Sequence, residues 1–229
     1  MTSKSDRRAV IGGKGPNTRE EIVARALNIA ALEGLGALSI GRLAKELKMS
    51  KSGLFVHFGS KENLETAVVE RASILFFDHV LVPIEENGRE GIERVWALCD
   101  SWLDFVEQGI LPGGYFFTGA LFQCAEQSGS IPKQIKRIAR DWFDALRDAL
   151  EQARSQEQVR ADTDIDRTAF ELNGILLGAQ WSQLLSHKDY TSPRSAVLAK
   201  LSSLATEEIP ANAFDSVKAW RKYLESRHE

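Results

Sequence analysis

The sequence predicts an all-α fold, and three observations carry that prediction. Apolar residues recur at i, i+3, i+4 and i+7 along most of the 229 residues. Ser or Thr stands where each of the first helices should begin. No β-alternation of useful length interrupts the pattern.

Residues 1–16 are polar and basic, with Gly12, Gly13, Gly15 and Pro16, and are expected to form a flexible arm. Thr18-Arg19-Glu20-Glu21 is a capping box that should open the first helix. Its buried stripe is Ile22, Ala26, Ile29 and Ala30, and the run from Gly34 to Gly36 ends it. Ser39 caps a second helix whose stripe is Ile40, Leu43, Ala44 and Leu47. Lys48 and Met49 form a short connector, and Ser50 caps a third helix from Lys51 to about Phe58. That helix is too short and polar to form for the sake of its own core. Gly59 then breaks the chain, and Ser60 caps a fourth helix expected to run past Val68, Ile74, Phe76 and Phe77 towards Pro83. Long and apolar at its far end, it should join a small head to a larger body.

The helical period continues beyond Pro83. Residues 89–108 carry Ile92, Val95, Trp96, Cys99, Leu103 and Val106. Residues 113–127 are so apolar that burial is expected. Residues 131–156 form a long amphipathic stretch with Ile135, Ile138, Trp142, Leu146 and Leu150. Two more helices are expected, over 164–186 and from Pro193 through Leu204. The division this predicts is an arm at 1–16, a three-helix helix-turn-helix head at 17–64, and a helical body at 65–229.

A net charge of −3 conceals a strong asymmetry. Residues 1–61 hold eleven Lys and Arg against five acids, a surplus of six positive charges, and the remainder carries nine negative ones. A basic quarter on an acidic body presents one face to a polyanion. Chance clustering of surface charge is the alternative reading. A short polar helix propped by a second one is also the build of a helix-turn-helix that enters the major groove of DNA.

Other classes find little support. Cys99 and Cys124 are too few for a disulfide framework or a zinc site and fit a reduced cytoplasmic interior. No signal peptide and no run of about 20 apolar residues is visible, so a cytoplasmic location and no membrane partner are expected. His57, His79 and His187 are scattered without metal-ligand spacing, and neither Cys has a partner in a recognisable catalytic arrangement. Gly12-Gly13-Lys14-Gly15 lacks both the spacing and the preceding strand of a phosphate loop. No catalytic residue, metal site or cofactor is therefore expected.

The segment Thr18–Leu64 resembles the DNA-binding domain of the tetracycline-repressor (TetR) family of bacterial regulators. The shared features are the capped first helix ending in Gly and the Ser39-Ile40…Leu43-Ala44 second helix. Met49-Ser50-Lys51-Ser52-Gly53-Leu54-Phe55 follows as recognition helix, then His57-Phe58-Gly59-Ser60-Lys61-Glu62. The resemblance implies a dimeric regulator of double-stranded operator DNA with a small-molecule effector site in its body. Ser39 and Ser60 start helices whose free N–H groups can rest on phosphates, and Ser50, the cap of the recognition helix, is also expected at the DNA. Lys61 and His57 are expected to touch the DNA backbone, and Lys51 and Ser52 to reach base edges, Lys51 at guanine. Gly53 allows close approach, and Leu54 and Phe58 anchor the helix to its core. Phe55 departs from the Tyr common in the family and loses a phosphate bond, which leaves it the sugar or a thymine methyl. Val56, often polar in relatives, also trims the contacts. Arg7, Arg8 and Lys14 form either a minor-groove arm or a solvated tail.

Aromatic residues concentrate in the body, at Trp96, Trp102, Phe105, Tyr115, Phe116, Phe117, Phe122, Trp142, Phe143, Phe170 and Trp181. They fill either a helical core or the wall of an effector pocket. Gln123, Asn173 and Gln180 interrupt apolar stretches, and a mostly apolar cavity with a few polar groups suits a small molecule. The pocket expected on this basis comprises Trp96, Trp102, Phe105, Tyr115, Phe116, Phe122, Trp142, Asn173 and Gln180. With no basic cluster inside these helices, its ligand should be neutral and hydrophobic or aromatic. Gly174, Leu177, Gly178, Trp181 and Leu184 suggest a helix–helix seam, read as a homodimer interface or as packing within one monomer. The function expected is a repressor released from a palindromic operator by such an effector. The alternative is an architectural DNA-binding protein whose body binds a protein partner and no small molecule.

Overall fold

The computed structural model describes residues 19–185, 190–206 and 209–227. The arm at 1–16, Thr18 of the expected capping box, and His187 lie outside the described residues. Eleven α-helices occur among the described residues and no strand does, apart from one isolated bridge between Val159 and Ala205. No described helix is long and apolar enough to cross a membrane.

The first four helices follow the local signals in the sequence. α1 (Arg19–Glu33) buries Ile22, Ala26, Ile29 and Ala30, and Gly34 ends it with φ of 87°. In α2 (Ile40–Glu46) the Ser39 hydroxyl accepts the Arg42 N–H at 3.1 Å. α3 (Lys51–Phe58) closes at Gly59, whose left-handed conformation (φ 71°) lets its N–H reach Phe55 O at 2.7 Å. α4 (Lys61–Phe76) opens on Ser60, which accepts the Asn63 N–H at 3.0 Å.

The fourth helix stops sooner than expected. α4 gives way at Phe77–Leu81 to a π-helical turn, and α5 (Val82–Glu86) resumes in α register. Pro83 is the physical reason. It has no N–H for the His79 carbonyl that an unbroken α-helix would pair with it, and its ring would crowd that carbonyl. The π spacing instead takes the Val82 N–H to Phe77 O.

The body comprises α6 (Gly91–Glu107), α7 (Phe116–Gln123), α8 (Ser130–Ser155), α9 (Ile165–Leu184), α10 (Thr191–Leu204) and α11 (Val217–Arg227). α6 runs through the middle, packed by α8, α9 and α10, and is buried on nearly every side. Asp164 caps α9 by accepting the Arg167 N–H at 3.0 Å. The 113–127 segment corrects the expectation of burial: α7 buries Phe116 and Ala120, whereas Phe122 is 79% exposed. α11 answers to no element expected from the sequence. It inserts Trp220, fully buried, between Phe214 and Trp96.

One ionic cluster ties the far side together. Arg194 of α10, largely buried, donates to Asp100 at 2.6 Å, to Glu107 at 2.8 Å and to Asp104, all on α6. Arg221 of α11 adds a bond to Asp100 at 3.1 Å. Burial, followed by the nearby Asp100 charge, pushes the Asp104 carboxyl above its ordinary range.

Candidate nucleic-acid interface and ligand cavity

The recognition helix is built by its caps. Lys48 takes a left-handed conformation (φ 55°), which turns the chain sharply enough for Met49 N–H to reach Ala44 O at 2.9 Å. The Ser50 hydroxyl accepts the Gly53 N–H at 3.0 Å and lies 3.2 Å from the Ser52 hydroxyl. An added Cβ at Gly53 would stand 3.0 Å from Ser50 Oγ, so the capping hydroxyl would have to give by a few tenths of an ångström. Asn63 Nδ2 donates to Phe58 O at 2.7 Å and fixes the end of α3 to α4.

Leu54 and Phe58 face the core, while Lys51, Ser52, Phe55, Val56 and His57 face outward. Lys51 lies across Gly41, where an added Cβ would meet its Cε at 3.2 Å. Lys61, in the first turn of α4, sits 3.2 Å from Glu65. That pairing offsets part of the cost of a cation at a helix N-terminus.

Arg42 and Arg25, both partly exposed, are paired with acids of the head itself. Arg42 forks onto both oxygens of Glu33 at 2.6 Å and reaches Glu46 at 3.1 Å, and Arg25 reaches Glu46 at 2.6 Å. The Arg42–Glu33 and Arg25–Glu46 bonds clamp α2 against α1 at the surface. Hydrogen bonds from Arg42 hold the Glu33 and Glu46 carboxyls below their ordinary range.

In the body a cavity of about 180 Å³ lies among α4, α6, α7, α8 and α9. Of the residues expected there, Trp102, Phe105, Phe116, Phe122, Trp142, Asn173 and Gln180 line it. Two do not. Trp96 is buried in the core against Trp220, with ring centroids 6.2 Å apart. Tyr115 precedes α7 and lines a separate small cleft against the end of α1. Sequence reasoning missed Phe76, Phe117, Thr118, Phe143 and Leu177 as wall residues. The signal for Phe76 and Phe117 was present, since both belong to aromatic pairs (Phe76-Phe77, Phe116-Phe117) at helix ends.

Phe76 is the central ring. It meets Phe105, Phe117 and Trp142 edge-on at centroid distances of 5.6, 5.8 and 5.7 Å. The polar groups of the wall are held by one another. Trp142 Nε1 donates to Asn173 Oδ1 at 3.1 Å, Thr118 to Gln180 Oε1 at 2.8 Å, and Gln180 Nε2 to Gly114 O at 2.7 Å. Among the described residues, no charged one lines the cavity.

The outer face of α9 carries the residues expected at a seam. Trp181 and Leu184 are 67% and 52% exposed, and open space surrounds Gly174 and Gly178. Leu177 is partly exposed and also forms cavity wall. Phe170 and Leu185 extend the apolar stripe. Among the described residues, no group of three or more His, Cys, Asp and Glu could hold a metal ion.

Two family models match the chain. Residues 22–68 match the bacterial regulatory proteins of the tetR family, and residues 91–196 match the tetracyclin repressor-like C-terminal domain. The structure is similar to a TetR transcriptional regulator from Chloroflexus aurantiacus, at 20% identity and a TM-score of 0.69 over 80% of this chain and 92% of that one. A TetR-family regulator from Streptomyces coelicolor aligns at 19% identity and a TM-score of 0.68 over 82% and 96% of the two chains. AibR, solved with isovaleryl coenzyme A and operator DNA, aligns at 21% identity and a TM-score of 0.62 over 82% and 97%. No curated protein matches the sequence. With a capped recognition helix, the fold of these regulators and both of their family models matched, the chain belongs to the TetR family of DNA-binding transcriptional regulators.

Proposed function

We propose that the protein is a repressor that occupies a palindromic operator as a homodimer and releases it when a small, uncharged, hydrophobic or aromatic effector enters the body cavity. In this reading residues 17–64 form the DNA-binding head, with Ser39, Ser50, Lys51, Ser52, Gly53, Phe55, His57 and Lys61 at the DNA, and 65–229 form the effector-binding and dimerisation body. The observation that carries it is α4, one helix with Lys61 in its first turn and Phe76 of the cavity wall in its last. Fifteen residues of α-helix span roughly 22 Å. An effector that displaces Phe76 moves the far end of a stiff rod, and the head turns with it. Two recognition helices must match half-sites about 34 Å apart, so a small change in head angle costs contacts at both.

The cavity suits a ring-sized ligand. Apolar cavities of roughly 150 Å³ admit benzene. AibR was solved with a coenzyme A thioester, but among the described residues no Lys, Arg or His lines this cavity to meet phosphates. The effector class follows from that wall.

The test is mobility shift with DNA from upstream of the protein's own gene, across a salt series and against unrelated competitor. Ring-bearing neutral molecules are then added while the intrinsic tryptophan fluorescence, to which Trp102 and Trp142 of the cavity wall contribute, is followed. Competitor-resistant binding that is lost as the fluorescence changes is the expected result. Binding no better than to the competitor overturns operator recognition at that DNA. Specific binding that no fluorescence-active molecule releases supports the architectural alternative.

A further inference from the structure

We infer that Val56 reads the 5-methyl group of a thymine in each operator half-site, an inference that rests on the operator-binding reading above. The outward face of α3 carries Lys51, Ser52, Phe55 and Val56, at i, i+1, i+4 and i+5, with His57 beside them. Val56 is 83% exposed and Phe55 52% exposed, while the same helix buries Leu54 and Phe58 behind them. Among the described residues little covers the Val56 side chain, and nothing local favours it. A β-branched residue lowers helix propensity, and an exposed one recovers no burial.

The chemistry of the groove selects the partner. Val and Phe offer neither donor nor acceptor, and the thymine 5-methyl is the apolar feature of a base edge in the major groove. α3 carries no acid that could accept from cytosine N4. Phe55 keeps part of its ring against the protein, whereas Val56 projects two methyl groups with no competing contact. Ser52, one turn before Val56 and hydrogen-bonded to Ser50, fixes no base identity, since a hydroxyl serves either donor or acceptor edges. Specificity at the Val56 position is therefore set by a methyl group.

Deoxyuridine isolates that group, because it keeps every hydrogen-bonding edge of thymidine and lacks only the methyl. The operator is first selected from random duplexes with the full-length protein, and each thymidine of a half-site is then replaced in turn. One replacement should weaken wild-type binding about fourfold, which is the ~0.8 kcal/mol of one buried methyl at 1.4 kcal/mol per tenfold. The symmetric double replacement should weaken it about fifteenfold. Val56→Ala, a change towards higher helix propensity, should bind the unmodified operator with a similar loss and be insensitive to deoxyuridine at that position. Wild-type indifference to every replacement overturns the inference and leaves operator recognition standing. An undiminished penalty in Val56→Ala, abolished instead in Phe55→Ala, also overturns it and assigns the methyl to Phe55. Failure to enrich any sequence overturns operator recognition, and this inference with it.

Discussion

Lys51 and Lys61 are both exposed cations, yet their settings predict different losses. Lys51 starts the recognition helix, is exposed, and lies across Gly41. Lys61 heads α4 and shares its charge with Glu65. Lys61→Ala should weaken binding to all DNA sequences alike and lower the salt slope by about one. Lys51→Ala should relax preference at one base pair, at about 1–3 kcal/mol. Mobility shifts across salt and across single-base operator variants separate the two. Within the cavity, Asn173→Leu removes the acceptor for Trp142 Nε1 and should cost about 1–3 kcal/mol in a denaturant titration, because the indole stays buried without a partner. The limits of the sequence are visible at this scale too. Trp96 and Trp102 lie on one helix that is buried almost all round. Only the neighbour that each meets separates core from cavity: Trp220 for the first, the open space beside Phe76 for the second. Neither neighbour is close in sequence, so no local pattern could assign them.

Among elements, the boundaries that side chains set locally were legible, and those set by distant packing were not. Ser39, Ser50, Ser60 and Gly59 each act within four residues of themselves, and α2, α3 and α4 start where those residues say. The π turn at Phe77–Leu81 left no mark on the apolar pattern, because five residues are too few to separate two helical periods. α11 depends on Trp220 finding Trp96 over a hundred residues away. Its own signal, Ser216 before Val217, Trp220 and Leu224, was readable but weak. The clamp between α1 and α2 gives a prediction at the same scale. Glu33 and Glu46 are held below the ordinary carboxylate range by Arg42. A depressed folded pKa contributes stability above the unfolded value of about 4.3, and that contribution is lost as pH falls through the folded one. Wild type should therefore melt above Arg42→Met at neutral pH, with the gap closing as pH is lowered from about 6 to about 3. Thermal melts of both proteins at matched ionic strength check this, and a gap that widened in acid would contradict the clamp.

At the scale of the whole molecule, the stripe on α9 decides whether one chain suffices. Phe170, Trp181, Leu184 and Leu185 are each more than half exposed, and Gly174 and Gly178 leave room between them for another backbone. A contiguous apolar face of this kind marks an interaction surface. An isologous pairing of α9 and α10 with their copies would cover it and bring two heads to one duplex. Leu177 belongs to both this face and the cavity wall, so an effector and a partner would press on the same side chain from opposite sides. Trp181→Glu puts a charge where the partner's apolar face must sit. In the free monomer that position is solvated, so the fold should be unaffected and the circular dichroism unchanged. Light scattering should then give the mass of one 25.5 kDa chain where wild type gives twice that. Operator affinity should fall at least a hundredfold, since each eight-residue recognition helix would have to hold its half-site alone. Binding to an isolated half-site should stay within about threefold of wild type, because α3 lies far from the substitution along the chain. A dimeric Trp181→Glu protein would move the interface off α9.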